Sequence, residues 1–304
     1  TKRFLFYFQP KMGLILETEL WFNLINQCKL QKIPLHLINA RLSRKSLSKY
    51  LSFREFSNAG LSQLNSIYVQ SKEDLDNFRS LTESNIKIMG NIKFESTPPK
   101  GTRQKINQFK KKLKITNQFV LVAGSTRPGE EKLLLELVKK LNRKDLILVL
   151  APRHPERFIE VEKIFKEQNL KIIRKSTLGK LKEVPKYILG DTMGELYEIY
   201  GIASLAVIGG SILDYGGQNP IEPMSLNIQT AVGPSVYNFK DLVSLAEKHN
   251  AIFRFNNIAQ LDNIIKNLLN EGQVNQDILR NARQYIKKSS GGTNKIVRLV
   301  NQYL

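Results

Sequence analysis

The segment richest in chemistry is Ile208-Gly-Gly-Ser-Ile-Leu-Asp-Tyr-Gly-Gly-Gln-Asn-Pro-Ile-Glu-Pro223. An apolar run ends at Ile208, a glycine-rich loop follows, and Asn219-Pro220 opens a helix with Glu222 in its first turn. Glycine lets the backbone come close to a ligand, and the N–H groups at a helix start favour an anion. A carboxylate there can instead accept from a sugar hydroxyl, as ribose-binding acids do. Gly209, Gly210, Ser211, Gly217, Gln218, Asn219 and Glu222 are therefore candidate ligand contacts. The purely structural alternative is a tight loop in which Asn219 caps the helix and Glu222 satisfies free amides.

Other polar clusters also follow apolar runs. Ala151-Pro-Arg-His-Pro-Glu-Arg157 offers Arg153 and His154, with Pro155 suited to the first position of a helix, and reads as a phosphate site. Gly190-Asp-Thr-Met-Gly-Glu195 offers either simple capping by Asp191 or Thr192, or backbone contacts to a base or phosphate around Thr192, Met193 and Gly194. Gly124-Ser-Thr-Arg-Pro-Gly-Glu-Glu131 lacks the Gly-Lys-Ser/Thr ending of a P-loop and remains an anion or substrate turn. In the first third, Glu17-Thr-Glu-Leu-Trp21 sets Glu17 and Glu19 at a strand end, where Glu17 could serve as a base or hydroxyl ligand. Arg41 and Lys93, in Asn39-Ala-Arg-Leu-Ser43 and Gly90-Asn-Ile-Lys93, could hold phosphate or carboxylate groups. Trp21 is expected in the core, His36 inside a strand as a structural residue, and His249 at a helix C-terminus. No HExxH, paired CxxC, dense acidic cluster, GxSxG elbow, kinase signature or GxGxxG is present, so neither a metal nor another cofactor is expected.

These clusters need strands that end beneath them, and the sequence supplies a βαβ rhythm. Met12–Leu16, Pro34–Asn39 and Ile67–Gln70 read as strands, with helices from about Leu20, Ser46 and Lys72. Residues 1–96 form one α/β domain, and the turn-rich, then lysine-rich stretch 97–116 reads as a linker. The rhythm restarts at Phe119–Ala123, Leu146–Leu150, Lys171–Arg174, Lys186–Leu189, Leu205–Ile208, Gln229–Val232 and Ala251–Phe255. Residues 117–288 thus form a second doubly wound α/β domain, and 289–304 a helical tail that packs, with a crossing back onto the first domain as one option. Two such domains put the expected ligand crevice between them, at the carboxyl ends of the strands.

The 304 residues hold 41% hydrophobic and 24% charged side chains, globular proportions that exclude a disordered tail or fibrous repeat. Cys28, the only cysteine, is expected as a buried thiol in a reducing compartment. Lys+Arg 47 against Asp+Glu 27 gives +20, which attracts phosphorylated ligands, nucleic acid or an anionic membrane face, or else reflects lysines scattered over solvated faces. No apolar run is long enough to span a bilayer and the start lacks a signal-peptide pattern, so the chain as given is expected neither to cross a membrane nor to be exported.

Glu17-Thr-Glu-Leu-Trp, Asn39-Ala-Arg-Leu-Ser, Gly90-Asn-Ile-Lys-Phe, Pro152-Arg-His-Pro-Glu-Arg, Gly190-Asp-Thr-Met-Gly-Glu-Leu and Gly209-Gly-Ser…Gly216-Gly-Gln-Asn-Pro-Ile-Glu-Pro resemble, in order, motifs of bacterial 3-deoxy-D-manno-octulosonic acid (Kdo) transferases. The resemblance covers essentially the whole chain. It implies a GT-B fold with two Rossmann-like domains, and inverting, metal-independent transfer of Kdo from CMP-Kdo to a lipid A precursor in lipopolysaccharide synthesis. It also implies the cytoplasmic face of the inner membrane, where the chain as given is expected to be peripheral; the net charge adds an anionic lipid surface as an expected partner, and no nucleic acid is expected. Arg153 and His154 would meet donor phosphate or carboxylate, Thr192, Met193 and Gly194 the cytidine part, and Asn219 with Glu222 the ribose or phosphate. Gly209, Gly210, Ser211, Gly217 and Gln218 would complete the donor site, while Glu17, Glu19 and Arg41 would line the acceptor side as the candidate catalytic residues.

Gln218 stands where the family loop carries histidine, and Phe22 where it carries proline after Glu-Leu-Trp. Family members place a membrane anchor and a Ser-x-Gly-Glu motif, with the presumed general base, ahead of the position matching Thr1. The expectation is therefore a fragment with an incomplete first domain. The alternatives are a GT-B transferase using a UDP-sugar, and a non-catalytic module that binds nucleotides or polyanions.

Overall fold

The computed structural model describes residues 1–272 and 274–304. Two compact units emerge, Thr1–Glu95 with Ser289–Leu304, and Ser96–Lys288. In the first, β1 (Gly13–Leu16), β2 (Leu35–Ala40), β3 (Ser66–Val69) and β4 (Ile86–Ile88) form a parallel sheet in the order β1-β2-β3-β4. The crossover helices Phe22–Leu30, Arg44–Leu51, Arg54–Leu61 and Lys72–Arg79 supply the connections that parallel strands require. Ser43 and Ser71 start two of them by accepting from the N–H groups of Ser46 and Asp74. β2 is buried along its whole length, as a central parallel strand must be.

On one face of this sheet Leu37, Ile67 and Val69 pack with Ile25, Cys28, Leu61 and Phe78. On the other, Leu299 of the C-terminal helix Gly292–Val300 packs with Ile38 and Met89. The His36 ring bridges the Ser66 hydroxyl at 2.7 Å and the Tyr303 hydroxyl at 3.1 Å, a structural role. The chain's end thereby covers the sheet from which its beginning is built. Trp21 departs from its expected core position: it precedes the helix Phe22–Leu30 and is 61% exposed, while Phe22 and Ile25 turn inward.

In the second unit the strands are β5 (Phe119–Thr126), β6 (Leu146–Pro152), β7 (Ile173–Arg174), β8 (Tyr187–Leu189), β9 (Leu205–Ile208), β10 (Thr230–Val232) and β11 (Phe253–Arg254). They form a parallel sheet in the order β11-β10-β9-β5-β6-β8-β7 among the described residues. β5 and β6 are buried throughout, and Leu121, Leu148, Leu150 and Val207 pack with Leu134, Val138, Val161, Phe165, Leu261 and Ile265 from the flanking helices. The order reverses between β5 and β9. Such a switch point is the general position for a ligand crevice at the carboxyl ends of the strands in open α/β sheets.

The stretch read as a linker holds the helix Thr102–Lys112. Ile106, Phe109 and Leu113 recur at helical spacing: Phe109 and Leu113 are buried, and Ile106 lies so close to Gly201 that a Cβ there would come within 2.1 Å of its side chain. The lysines between them dominate the composition and conceal that stripe. His249 ends the helix Lys240–Lys248, where a histidine was expected.

Candidate functional site

The carboxyl edge of the second sheet gathers most of the singled-out residues. β5 ends in a bulge at Ser125, whose φ is 57°, and the chain of Gly209 passes directly against it. A Cβ on Gly209 would stand 2.3 Å from the Ser125 carbonyl oxygen, so only glycine allows this approach. Beneath the loop lies Glu130, fully buried at the start of the helix Glu130–Leu141. Its carboxylate accepts from the backbone N–H of Gly210 at 2.7 Å, Ile212 at 2.9 Å, Leu213 at 3.3 Å and Arg127 at 2.9 Å. Burial pushes this carboxyl above the usual carboxylate range, and the four amide bonds oppose that shift by favouring the charged form.

The glycine-rich loop is therefore wired inward. The Ser211 hydroxyl donates to the Ile208 carbonyl at 2.5 Å and accepts from Gly233 N–H at 2.8 Å. Gly217 N–H donates to the Gly210 carbonyl at 2.7 Å, and Gly216 N–H to the Ser235 hydroxyl at 2.8 Å. Gly209, Gly210, Ser211 and Gly217 are buried with these groups engaged, and they shape the loop. The carboxylate that these loop amides meet is that of Glu130. Positive φ at Gly210 (67°) and Gly217 (72°) explains the glycines equally well on this structural basis.

The loop's far end is different. Asn219 Oδ1 accepts from Ile221 N–H at 3.1 Å, the expected cap. The Glu222 carboxylate is half-buried and has no hydrogen-bond partner among the described residues, so it does not satisfy free amides. Burial raises its pKa, and the nearby Arg153 guanidinium lowers it in part. Arg153 is exposed at the end of β6, anchored by its own N–H to the Thr126 carbonyl at 3.1 Å. After β8, Asp191 binds the N–H and hydroxyl of Ser176 at 2.9 and 2.5 Å, which tightens the turn. The N–H groups of Thr192, Met193 and Gly194 have no backbone partner among the described residues, and Met193 is exposed. Gln218 is half-buried, its amide nitrogen 3.5 Å from where a Cβ on Gly210 would stand.

Sequence reasoning left Glu130, Glu131, Arg127 and Arg157 without assigned roles. Glu131, fully buried, accepts from the Thr126 hydroxyl at 2.6 Å and from Arg157 at 2.5 and 3.1 Å. That pair ties the end of β5 to the Pro155–Arg157 turn carrying His154. The available signal was two consecutive acids at a helix start after a strand, which is also the pattern of ordinary helix acids.

In the first unit the same strand edge carries Glu17, half-buried with φ 53°, in an ion pair with Lys93 at 3.4 Å. Asn39 is fully buried at the end of β2, its Oδ1 accepting from Ile92 N–H at 3.2 Å, with φ 51°. Glu19 and Arg41 are exposed nearby in sequence. The structure thus brings Glu17 and Lys93 together and leaves Glu19 facing solvent. Among the described residues no group of three or more His, Cys, Asp or Glu is placed to hold a metal ion, and no helix is long and apolar enough to cross a membrane.

Comparisons with known proteins agree with this architecture. Residues 1–96 match the family model for the 3-deoxy-D-manno-octulosonic-acid transferase (kdotransferase) N-terminal region. The chain is 31% identical to the 3-deoxy-D-manno-octulosonic acid transferase of Haemophilus influenzae over 99% of its own length and 72% of that protein's. It is 28% identical to the Bordetella pertussis enzyme of the same name over 100% of its length, again covering 72% of the relative. Among solved structures, the C-terminal CMP-Kdo binding domain of WaaA from Acinetobacter baumannii is 30% identical, with a TM-score of 0.58, covering 61% of this chain and 98% of that domain. Anabaena Alr3699/HepE in complex with UDP, at 14% identity, TM-score 0.59, and coverage of 99% of this chain and 82% of that one, resembles it in fold alone. The fold is GT-B, and the chain belongs to the 3-deoxy-D-manno-octulosonic acid transferase family of glycosyltransferases.

Proposed function

We propose that this protein transfers Kdo from CMP-Kdo to a lipid A precursor, as a peripheral protein at the cytoplasmic face of a bacterial inner membrane. The observation that carries this is the 31% identity with a Kdo transferase along 99% of the chain. The match of the second unit's sheet and loops to a CMP-Kdo binding domain supports that unit as the donor side. Glu222, with no protein partner for its carboxylate, would accept from a ribose hydroxyl, and the unpaired amides at 192–194 would meet the cytidine part. Asn219 and Gln218 flank Glu222 at the loop's outer end.

Transfer breaks the bond between the Kdo anomeric carbon and a phosphate oxygen of CMP, and negative charge grows on that oxygen. Arg153, with His154 next to it, would stabilise it; removing one such preorganised group typically costs 10²–10³ in kcat. Glu17, Glu19 and Arg41 would face the acceptor. Lys93 pairs with Glu17 at 3.4 Å, and the Glu17 carboxylate would accept a hydrogen bond from the acceptor hydroxyl. The +20 charge draws the protein toward anionic lipid, at roughly 1 kcal/mol per lysine beside the surface.

Binding tests the donor assignment. Thermal unfolding with matched concentrations of CMP, CMP-Kdo and UDP-N-acetylglucosamine should show a rise with the cytidine ligands alone. A rise with the UDP-sugar alone would replace the proposed donor.

Glu222 also carries a pH signature. A carboxyl that holds its proton to higher pH in the folded chain than in the unfolded one, where it titrates near about 4.3, adds stability at low pH that fades as pH rises through the folded value. Wild type should therefore lose stability relative to Glu222→Gln, whose side chain stays neutral, as pH rises above about 4.3. A difference between the two that stays flat with pH would mean that the carboxyl is not perturbed by its burial.

A further inference from the structure

We propose that Arg127 is an anion-binding residue of the donor site, taking one of the two acidic groups of a CMP-linked sugar acid, its phosphate or its carboxylate; this rests on the donor reading above. Arg127 lies just past β5, at the point where the strand order of the second sheet reverses. Its side chain is half-buried, yet it makes no ion pair with any carboxylate among the described residues. Its Nε is buried with no hydrogen-bond partner among the described residues. A guanidinium has donors and no acceptor, and a desolvated one without an acid is costly unless a ligand completes it.

The surroundings hold this group without neutralising it. The guanidinium carbon stands 5.1 Å from the centre of the Tyr215 ring, a cation–π contact that fixes the plane. Nη1 donates to His154 Nε2 at 2.5 Å. Because arginine can only donate, that histidine nitrogen accepts, and it brings no negative charge to the guanidinium. The acid closest in sequence, Glu130, is spent on four backbone N–H groups, including that of Arg127 itself. So the main chain is clamped, the side-chain plane is stacked, and the positive charge is unanswered. Arg153 stands one strand away, where Glu222 partly offsets it. The donor brings two negative groups to an edge with two arginines. The fork of a guanidinium fits either a phosphate or a carboxylate through paired hydrogen bonds.

Calorimetric binding of CMP and CMP-Kdo to wild type, Arg127→Met and Arg127→Lys tests this, with folding checked by circular dichroism. Arg127→Met should weaken CMP-Kdo binding about 10- to 100-fold, the range of a lost charge-assisted hydrogen bond. Arg127→Lys, which keeps the charge but not the fork, should recover part of the loss. Equal loss for CMP and CMP-Kdo assigns Arg127 to the phosphate; loss for CMP-Kdo alone assigns it to the sugar carboxylate. Wild-type affinity for both ligands in folded Arg127→Met and Arg127→Lys would overturn the proposal while leaving the donor assignment standing. Wild-type protein that binds neither ligand would instead overturn the donor assignment, and this proposal with it.

Discussion

Glu130→Ala should lower the unfolding free energy by about 3–6 kcal/mol, since several buried N–H groups lose their acceptor and each unsatisfied group costs about 1–3 kcal/mol. Against a total stability of about 5–15 kcal/mol, that is a large share. In thermal terms it corresponds to a fall of about 10 °C or more for a unit of this size. The amides of Gly210, Ile212 and Leu213 converge on one carboxylate, so the loop leading to Gln218, Asn219 and Glu222 should loosen together with the fold. Glu130→Gln keeps an oxygen but points an NH2 group at backbone donors, and should fall between the two. Thermal unfolding, with proteolysis of the loop as a local probe, measures this. A Glu130→Ala variant within about 1 kcal/mol of wild type would show that the carboxylate is dispensable to the loop.

The second large effect is expected at the Arg157–Glu131 pair. Both side chains are buried, at 7% and 0% exposure, and Arg157 reaches Glu131 through two nitrogens. Arg157→Met strands a buried carboxylate and should cost about 3–5 kcal/mol. Pairing it with Glu131→Leu removes both charges and should recover most of that loss, because a buried ion pair stabilises little relative to apolar side chains that fill its space. Denaturant unfolding of the single and double variants gives the coupling directly. Simple additivity of the two single losses would mean that the charges do not depend on one another. Donor affinity should follow stability here, since the same pair anchors the turn bearing Arg153 and His154 to the end of β5.

The doubly wound architecture was legible because each buried parallel strand reads as an apolar run ending in glycine, asparagine or a charge. The positions of Arg153 just past a strand end and of Glu222 at a helix start were legible for the same reason, since both follow from local pattern. The inward hydrogen bonding of Gly210 and Ser211, and the close approach of Gly209 to Ser125, were not. Glycines that let a backbone approach phosphate and glycines that let it approach a carboxylate of the same chain look identical, and that carboxylate, Glu130, lies 80 residues from Gly210. Tertiary contact decides between them. The helix Thr102–Lys112 was hidden because its lysines outnumber the apolar residues that pack on Gly201 and its neighbours. Trp21 was misplaced because hydrophobicity alone favours burial, whereas Phe22 and Ile25, on the inward side of the helix start, fill that space first. Within the turn Gly124–Glu131, read as an anion or substrate turn, Arg127 was not singled out, because its lack of an acidic partner among the described residues is a tertiary fact that no spacing records.

The most direct test is product analysis after incubating the protein with CMP-Kdo and a lipid A precursor in detergent, followed by mass spectrometry of the lipid and chromatography of the nucleotide. Kdo transfer predicts a lipid whose mass rises by one or more Kdo residues, with CMP released in equal amount. An unchanged lipid alongside acceptance of a UDP-sugar in the same assay would contradict Kdo transfer and place the chain's chemistry with another donor.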